Sequence, residues 1–259
     1  MSVTVVTGAG SGMGRACVER LQPAADHLVA VDLRAPTVSG ADNVACDISD
    51  RSSVQALVER VNELGSLRSL VHAAGLSPTM ADARRIVQVN LVGTMLLLDA
   101  FEPVVREGTA AVCFSSSAGY LPLELLGPEL TDLIHDTRTD GFLDRAAALF
   151  TDSGLAYAWS KKGVQLEAAK AAVRWGRRGA RVVSLSPGLI DTPMGRQEFE
   201  QQPVMKSMLD NTPLGRLGKA DEVAAVVAFL LSDEASFVSG IDVLVDGALG
   251  AASANTPPA

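Results

Sequence analysis

The sequence predicts an open α/β fold, a parallel sheet of about seven strands wound with helices on both faces. Three observations carry that prediction. Residues 3–14 read Val-Thr-Val-Val-Thr-Gly-Ala-Gly-Ser-Gly-Met-Gly, a β-branched run broken by a glycine-rich turn, and a helical pattern opens at once with Arg15, Ala16, Cys17 and Val18. A second short strand, Leu28 to Val31, ends in Asp32. Beyond it, strands and helices alternate along most of the chain, the pattern of a parallel sheet covered on both sides.

The first element has a chemical reading. Glycine lets backbone N–H groups approach a pyrophosphate, and a helix N-terminus adds unpaired donors and partial positive charge. Gly8, Gly12 and Gly14 supply the turn, and Asp32 stands where a dinucleotide fold puts an acid on the adenosine ribose 2′-hydroxyl. A 2′-phosphate about 4 Å from that carboxylate costs about 4 kcal/mol at an effective dielectric near 20. The expected dinucleotide is therefore NAD rather than NADP. Arg34 is the competing feature, since a nearby arginine accommodates a 2′-phosphate, but Asp32 ends the strand and Arg34 is free to swing into solvent.

Pro36 and Gly40 leave no room for a crossover helix before the next short strand, Asn43 to Ala45. Asp47-Ile48 follows that strand and is placed to flank an adenine; Asp50 reads as the N-cap of a helix reaching Leu64. Leu67 to Ala74 is an apolar strand ending at Gly75, Asp82 to Val105 carries a helical apolar period, and Thr109 to Phe114 is the next strand. Residues 120–154 break the alternation as an inserted subregion with helix-like pieces at Leu123–Ile134 and Phe142–Phe150. A long helix, Leu155 to Arg177, and a strand, Arg181 to Leu185, follow. Residues 189–218 read as a mobile segment beside the substrate, Lys219–Leu231 as a helix, Asp242 to Val245 as the last strand, and 250–259 as a disordered tail. One domain over residues 1–249 is expected.

The chain has 259 residues and a net charge of −8, and this acidic balance offers no basic footprint for nucleic acid. Cys17, Cys46 and Cys113 lack metal-site spacing and read as buried apolar residues of a reducing compartment, so no metal is expected. Residues 1–14 have no basic region of a signal peptide, and the longest apolar run, Ala224 to Leu231, is too short to span a bilayer. A soluble cytoplasmic protein with a small-molecule substrate and no membrane partner is expected.

Tyr157 and Lys161 stand at i and i+4, on one helical face. A phenol with pKa near 10 is a poor base at neutral pH, and a neighbouring cation favours its ionised form. Lys161 is thus expected to make Tyr157 a general base for an alcohol, or an acid for a carbonyl. Ser116 leaves a strand at the carboxyl edge of the sheet, where ligands of open α/β folds bind, and its hydroxyl is placed to hold a substrate oxygen. A serine hydrolase is disfavoured, because no Gly-x-Ser-x-Gly elbow occurs.

With those residues in view, the chain resembles the short-chain dehydrogenases/reductases over nearly its whole length. Thr7 to Gly14 is similar to that family's glycine turn, Asp32 to its acid after the second strand, Asn90 to Gly93 to its Asn-x-x-Gly element, and Ser116 to Gly119 to its serine motif. Tyr157 to Lys161 is similar to its Tyr-x-x-x-Lys, Pro187-Gly188 to its Pro-Gly turn, and Thr192 to its nicotinamide-contacting threonine. The resemblance implies a Rossmann-type sheet of order 3-2-1-4-5-6-7. It implies a catalytic set of Asn90, Ser116, Tyr157 and Lys161, in which Tyr157 moves the proton and Ser116 orients the carbonyl. Lys161 would bind the nicotinamide ribose and Asn90 would hold a water linking it to solvent; the alternative reading of Asn90 is a side chain that only relieves a helix kink. Gly8, Ser11, Gly12, Met13, Asp32, Asp47, Ile48, Ala74, Gly75, Tyr157, Lys161, Pro187, Gly188, Ile190 and Thr192 would hold the cofactor.

Two departures qualify the resemblance. His72-Ala73-Ala74-Gly75 replaces the Asn-Asn-Ala-Gly of most members, and His72 reads as structural. Ser116 and Tyr157 lie 41 residues apart, wider than is usual. A subgroup resembling bacterial 3α-hydroxysteroid dehydrogenase/carbonyl reductase shares such an insertion. Hydride transfer between NAD and a secondary alcohol or ketone is expected. Leu76, Leu189 and Met194 beside a Met205–Leu209 lid suggest a bulky lipophilic substrate, steroid-like or terpenoid, with Ser116, Tyr157, Leu189 and Met194 lining its site. The alternative is a dinucleotide-binding regulator or scaffold without turnover. An enoyl reductase would call for a wider tyrosine-to-lysine spacing. A homo-oligomer, dimer or tetramer, is implied by the resemblance, and the insertion precedes the helix often used for pairing.

Overall fold

The computed structural model describes residues 1–120, 122, 126–150 and 152–255. In chain order the strands are β1 (Ser2–Thr7), β2 (His27–Asp32), β3 (Asp42–Ala45), β4 (Ser66–His72), β5 (Ala110–Phe114), β6 (Arg181–Pro187), β7 (Ile190–Asp191), β8 (Gly218–Lys219) and β9 (Asp242–Val245). Seven of them form one parallel sheet in the order β3-β2-β1-β4-β5-β6-β9, and β7 and β8 pair separately. This is the expected doubly wound order, with β9 as the seventh strand of the sheet.

Register explains how the sheet is buried on both faces. Val29, Val5, Leu70, Ala111 and Val182 stand side by side across five strands, and so do their successors Ala30, Val6, Val71, Val112 and Val183. Because side chains alternate along a strand, the two rows point to opposite faces. The first row packs with α2 (Arg51–Leu64) and the later helices α4 (Gly93–Phe101) and α7 (Ser153–Gly176), through Leu57, Phe101 and Trp175. The second packs with α1 (Gly12–Leu21) and α10 (Ala220–Leu231), through Cys17, Val227 and Leu230. These five strands are therefore buried almost throughout, while the edge strand β3 alternates.

Asp50 caps α2 by accepting a hydrogen bond from Ser53 N. No helix lies between β2 and β3; Asn43 closes that loop by bonding Val38 N and O, both at 2.9 Å. The expected helix after β4 is α3 (Ala83–Val87), capped by Asp82, then one π-helical turn, Gln88–Val92, then α4 (Gly93–Phe101). The helical run Ala83–Val104 is long and apolar enough to cross a membrane by length and composition, and 61% of its most apolar window is buried against the fold.

In the insertion, α5 (Pro128–His135) and α6 (Phe142–Leu149) pack Leu133, Ile134, Phe142 and Ala146 against Val87, Leu91 and Trp159. Trp159 lies on α7 (Ser153–Gly176), where its indole N–H donates to Leu130 O and its ring faces Phe142 and Phe150. The start of the first helix-like piece, at Leu123, lies outside the described residues.

Two expectations are corrected. Residues 189–218 are not an open loop: they hold β7, α8 (Pro193–Gln201), capped by Thr192, α9 (Val204–Asp210) and β8. Thr192 and Pro193 form a helix start that sequence inspection passed over because Gln202 and Pro203 interrupt the period soon after. α10 (Ala220–Leu231) follows. The tail is helical in its first half, α11 (Leu249–Asn255), where Asp246 accepts from Ala248 N and Gly250 N; residues 256–259 lie outside the described residues.

Candidate active site

The carboxyl edge of the sheet carries a cleft of about 310 Å³. Its floor is the glycine turn. Gly8 has φ +71°, and a Cβ there would sit 2.8 Å from the Ala73 and Ala74 backbone; one on Gly14 would collide with the Gly8 carbonyl. Only glycine permits both the turn and the close strand-to-helix approach. Ser11 at the α1 N-cap makes no side-chain cap bond. Gly8, Ser11, Gly12 and Met13 all line the cleft. These features fit a pyrophosphate over the turn.

At one end of the cleft lies Asp32. Its carboxylate accepts from Gly10 N at 2.9 Å and Leu33 N at 2.7 Å, which fixes it facing the turn. Arg34 is exposed and does not line the cleft. Asp47 and Ile48 line the same end, where Asp47 is held by Ser49 and Arg85. Ala74, Gly75, Leu76, Tyr157, Lys161 and Thr192 line the rest. Leu76 thus belongs to this cleft rather than to the smaller cavity described below.

His72 lies buried behind the turn and works as a brace. Thr94 Oγ1 donates to Asn90 O at 2.6 Å, so toward His72 Nε2, 3.0 Å away, it accepts. The ring is therefore the Nε2–H tautomer. Its Nδ1 accepts from Thr7 Oγ1 at 2.8 Å, and Thr7 accepts from Ala74 N at 3.2 Å. Burial and the Lys161 charge push the imidazole pKa down to about 3, so the ring is neutral.

Ser116, Tyr157 and Lys161 meet where the cleft opens into a second cavity of about 80 Å³. The Ser116 hydroxyl beside Tyr157 favours the phenolate, but burial outweighs it and, with Glu198, pushes the phenol up to about 12. Lys161 is buried, donates from Nζ to Phe114 O at 2.9 Å, and lies 5.7 Å from the Tyr157 ring centroid. Burial lowers its pKa to about 8. The phenol is thus raised, by burial first and then by the Glu198 charge, the opposite direction from the depression expected of Lys161.

Asn90 stands at the irregular turn between α3 and α4. It sits in the π-helical turn and lines neither cavity; its Oδ1 accepts from Leu76 N at 2.8 Å and its Nδ2 donates to Leu76 O at 3.0 Å. Its side chain positions the wall of the cleft.

The second cavity is lined by Pro187, Gly188, Ile190 and Thr192 from the β6 end and by Leu189, Met194, Phe199, Met205 and Leu217. Met13, Ser116 and Tyr157 close it toward the cleft. Pro187, Gly188 and Ile190 therefore adjoin this cavity and not the large cleft. Sequence inspection missed Glu198, which stands four residues after Met194 on α8 and lines the same cavity. Its position at i+4 from an expected substrate residue was the available signal.

Comparisons with known proteins agree with this geometry. The model for "short chain dehydrogenase" matches residues 2–127, and that for "Enoyl-(Acyl carrier protein) reductase" matches residues 144–249. The chain is 34% identical to a short-chain dehydrogenase/reductase of Alternaria brassicicola, over 95% of this chain and 94% of that one. It is 29% identical to a 3-alpha-hydroxysteroid dehydrogenase/carbonyl reductase of Comamonas testosteroni, over 97% of each. Among solved structures, the 3-alpha-hydroxysteroid dehydrogenase from Pseudomonas sp. B-0831 complexed with NADH superposes with a TM-score of 0.83 at 30% identity, covering 99% of this chain and 100% of that one.

Proposed function

The chain belongs to the short-chain dehydrogenases, a family of oxidoreductases that bind a nicotinamide dinucleotide, and from that premise we propose an NAD-dependent enzyme acting on a secondary alcohol or ketone of lipophilic, steroid-like or terpenoid kind. The observation that carries the reading is the meeting of Ser116, Tyr157 and Lys161 at the mouth between a dinucleotide-sized cleft and an apolar cavity. A module that only bound a nucleotide would need neither the serine nor the tyrosine there.

The dinucleotide would lie on Gly8, Ser11, Gly12 and Met13, with its adenosine ribose on Asp32 and its nicotinamide end toward Thr192, Tyr157 and Lys161. When bound, it supplies the hydride donor or acceptor. Ser116 holds the substrate oxygen by hydrogen bonding. Tyr157, protonated through neutral pH, donates its phenolic proton to the oxygen of a ketone undergoing reduction, and takes a proton from an alcohol in the reverse direction. Lys161, fixed by the Phe114 carbonyl, sets the ring's electrostatic surroundings and offers its remaining N–H groups to a ribose.

Support for NAD over NADP is local. Asp32 faces the turn, Arg34 is exposed outside the cleft, and Arg15 is engaged by Glu19 at 2.8 Å and by Thr37 O. Support for a lipophilic substrate is the wall of Leu189, Met194, Phe199, Met205 and Leu217. The likeness to hydroxysteroid dehydrogenases points the same way.

A homo-oligomer is part of this reading. The insertion helices cover one side of α7, and the sheet presents β9 as an edge, with Phe237 fully exposed and Ile241 and Phe229 about half exposed. Pairing is assigned to that edge.

The test is NADH oxidation over a panel of 3-oxosteroids, cyclic terpenoid ketones, ketoses and keto acids. Turnover concentrated in the first two groups is expected; turnover of ketoses or keto acids alone would overturn the substrate class.

A further inference from the structure

One ionisable group in the second cavity has no part in the proton transfer. Among the described residues lining it, Glu198 is the only ionisable side chain besides Tyr157. It shares a face of α8 with Met194, looks across at Ser116 and Tyr157, and is half-buried among Leu189, Phe199 and Met205. A wall made only to hold hydrocarbon has no use for a carboxylate, whose burial costs free energy unless donors satisfy it. The Ser77 hydroxyl, fully buried on the segment after β4, favours its charged form. A carboxylate accepts about four hydrogen bonds, so one such neighbour leaves capacity for a ligand in the cavity it lines.

Resting on the reading of the enzyme as an alcohol or ketone oxidoreductase, we propose that Glu198 is a specificity-determining residue: it accepts a hydrogen bond from a substrate hydroxyl remote from the reacting carbon, and it repels substrates bearing a carboxylate. The preferred substrate is then lipophilic, uncharged and carries a second hydroxyl. Burial raises the Glu198 pKa, the Lys161 charge and the Ser77 hydroxyl oppose that rise, and its charge in turn raises the Tyr157 phenol across the cavity. The same Lys161 charge disfavours a second buried cation, which leaves a neutral hydroxyl as the better donor.

Three matched ketones test this under saturating NADH: 4-hydroxycyclohexanone, 4-methoxycyclohexanone and 4-oxocyclohexanecarboxylate. Two charges about 6 Å apart at an effective dielectric near 20 predict a kcat/KM for the carboxylate about 100-fold below that for the hydroxyketone. The methoxyketone, which accepts but cannot donate, falls between them. Glu198→Gln should narrow the carboxylate-to-hydroxyketone gap by about tenfold or more, and Glu198→Asp should keep the wild-type order, with the NADH Kd unchanged in both. A gap unchanged in Glu198→Gln while NADH oxidation continues overturns the proposal alone. Absence of NADH oxidation with all three ketones in the wild type strikes the dehydrogenase reading itself, and this proposal with it.

Discussion

The Lys161 ammonium passes the Tyr157 ring at 5.7 Å from its centroid and ends on the Phe114 carbonyl, 2.9 Å from the oxygen. The cation is thus spent partly on a strand end, and burial decides the phenol's protonation. With the phenol pushed up to about 12, the two directions of the reaction should differ in pH dependence. Ketone reduction needs the protonated phenol and should stay flat from pH 6 until the Lys161 ammonium, its pKa lowered to about 8, begins to lose its proton. Alcohol oxidation needs the phenolate, so its kcat/KM should climb about tenfold per pH unit over that range. Steady-state profiles in both directions check this, and a flat oxidation profile above pH 7 would contradict it.

Cofactor choice should rest on Asp32. NADH should bind about a thousandfold more tightly than NADPH, the equivalent of about 4 kcal/mol. Asp32→Ala should bring the two dissociation constants together, mainly by tightening NADPH. Fluorescence titration reads both.

His72 should make the fold acid-sensitive. Its folded pKa, about 3, lies below the ordinary value of 6.5, so the unfolded chain takes up the proton first and stability falls as pH drops through 6.5. By linkage the loss reaches about 2 kcal/mol at pH 5. Urea unfolding at pH 7 and pH 5 should show it, and His72→Asn, although less stable at pH 7, should lose less between the two.

Glu167 should hold the insertion in place. Its buried carboxylate accepts from Thr137 at 2.9 Å, Arg138 at 2.7 Å and Lys170 at 2.8 Å, and Arg138 also reaches Asp99. Glu167→Ala removes three bonds, two of them to cations, and should cost about 2 kcal/mol, since Arg138 and Lys170 are exposed enough to recover water. Proteolysis should then cut first within residues 126–150.

Much of this molecule was legible in the sequence because its signals are local. The turn at Gly8 to Gly14, the acid after β2, and Tyr157 with Lys161 on one helical turn each follow from spacing along a few residues. The row of Val5, Leu70, Ala111 and Val182 shows why a parallel sheet covered on both faces followed from simple alternation, whereas the strand order came from the family resemblance. What escaped depends on long-range packing. Asn90 is tied to Leu76 across a loop, Glu198 enters the cavity only because α8 forms over 193–201, and the Tyr157 pKa is raised by desolvation and by Glu198, 41 residues away. None of these is written in a run of neighbouring residues.

The measurement that tests the central claim most directly is NADH oxidation with a 3-oxosteroid by wild type and Tyr157→Phe, with the NADH Kd of each determined in parallel. The account predicts turnover in the wild type, a loss of at least about a thousandfold in Tyr157→Phe, and dissociation constants equal within about twofold. Turnover in Tyr157→Phe comparable to wild type would contradict the assignment of Tyr157 as the group that moves the proton.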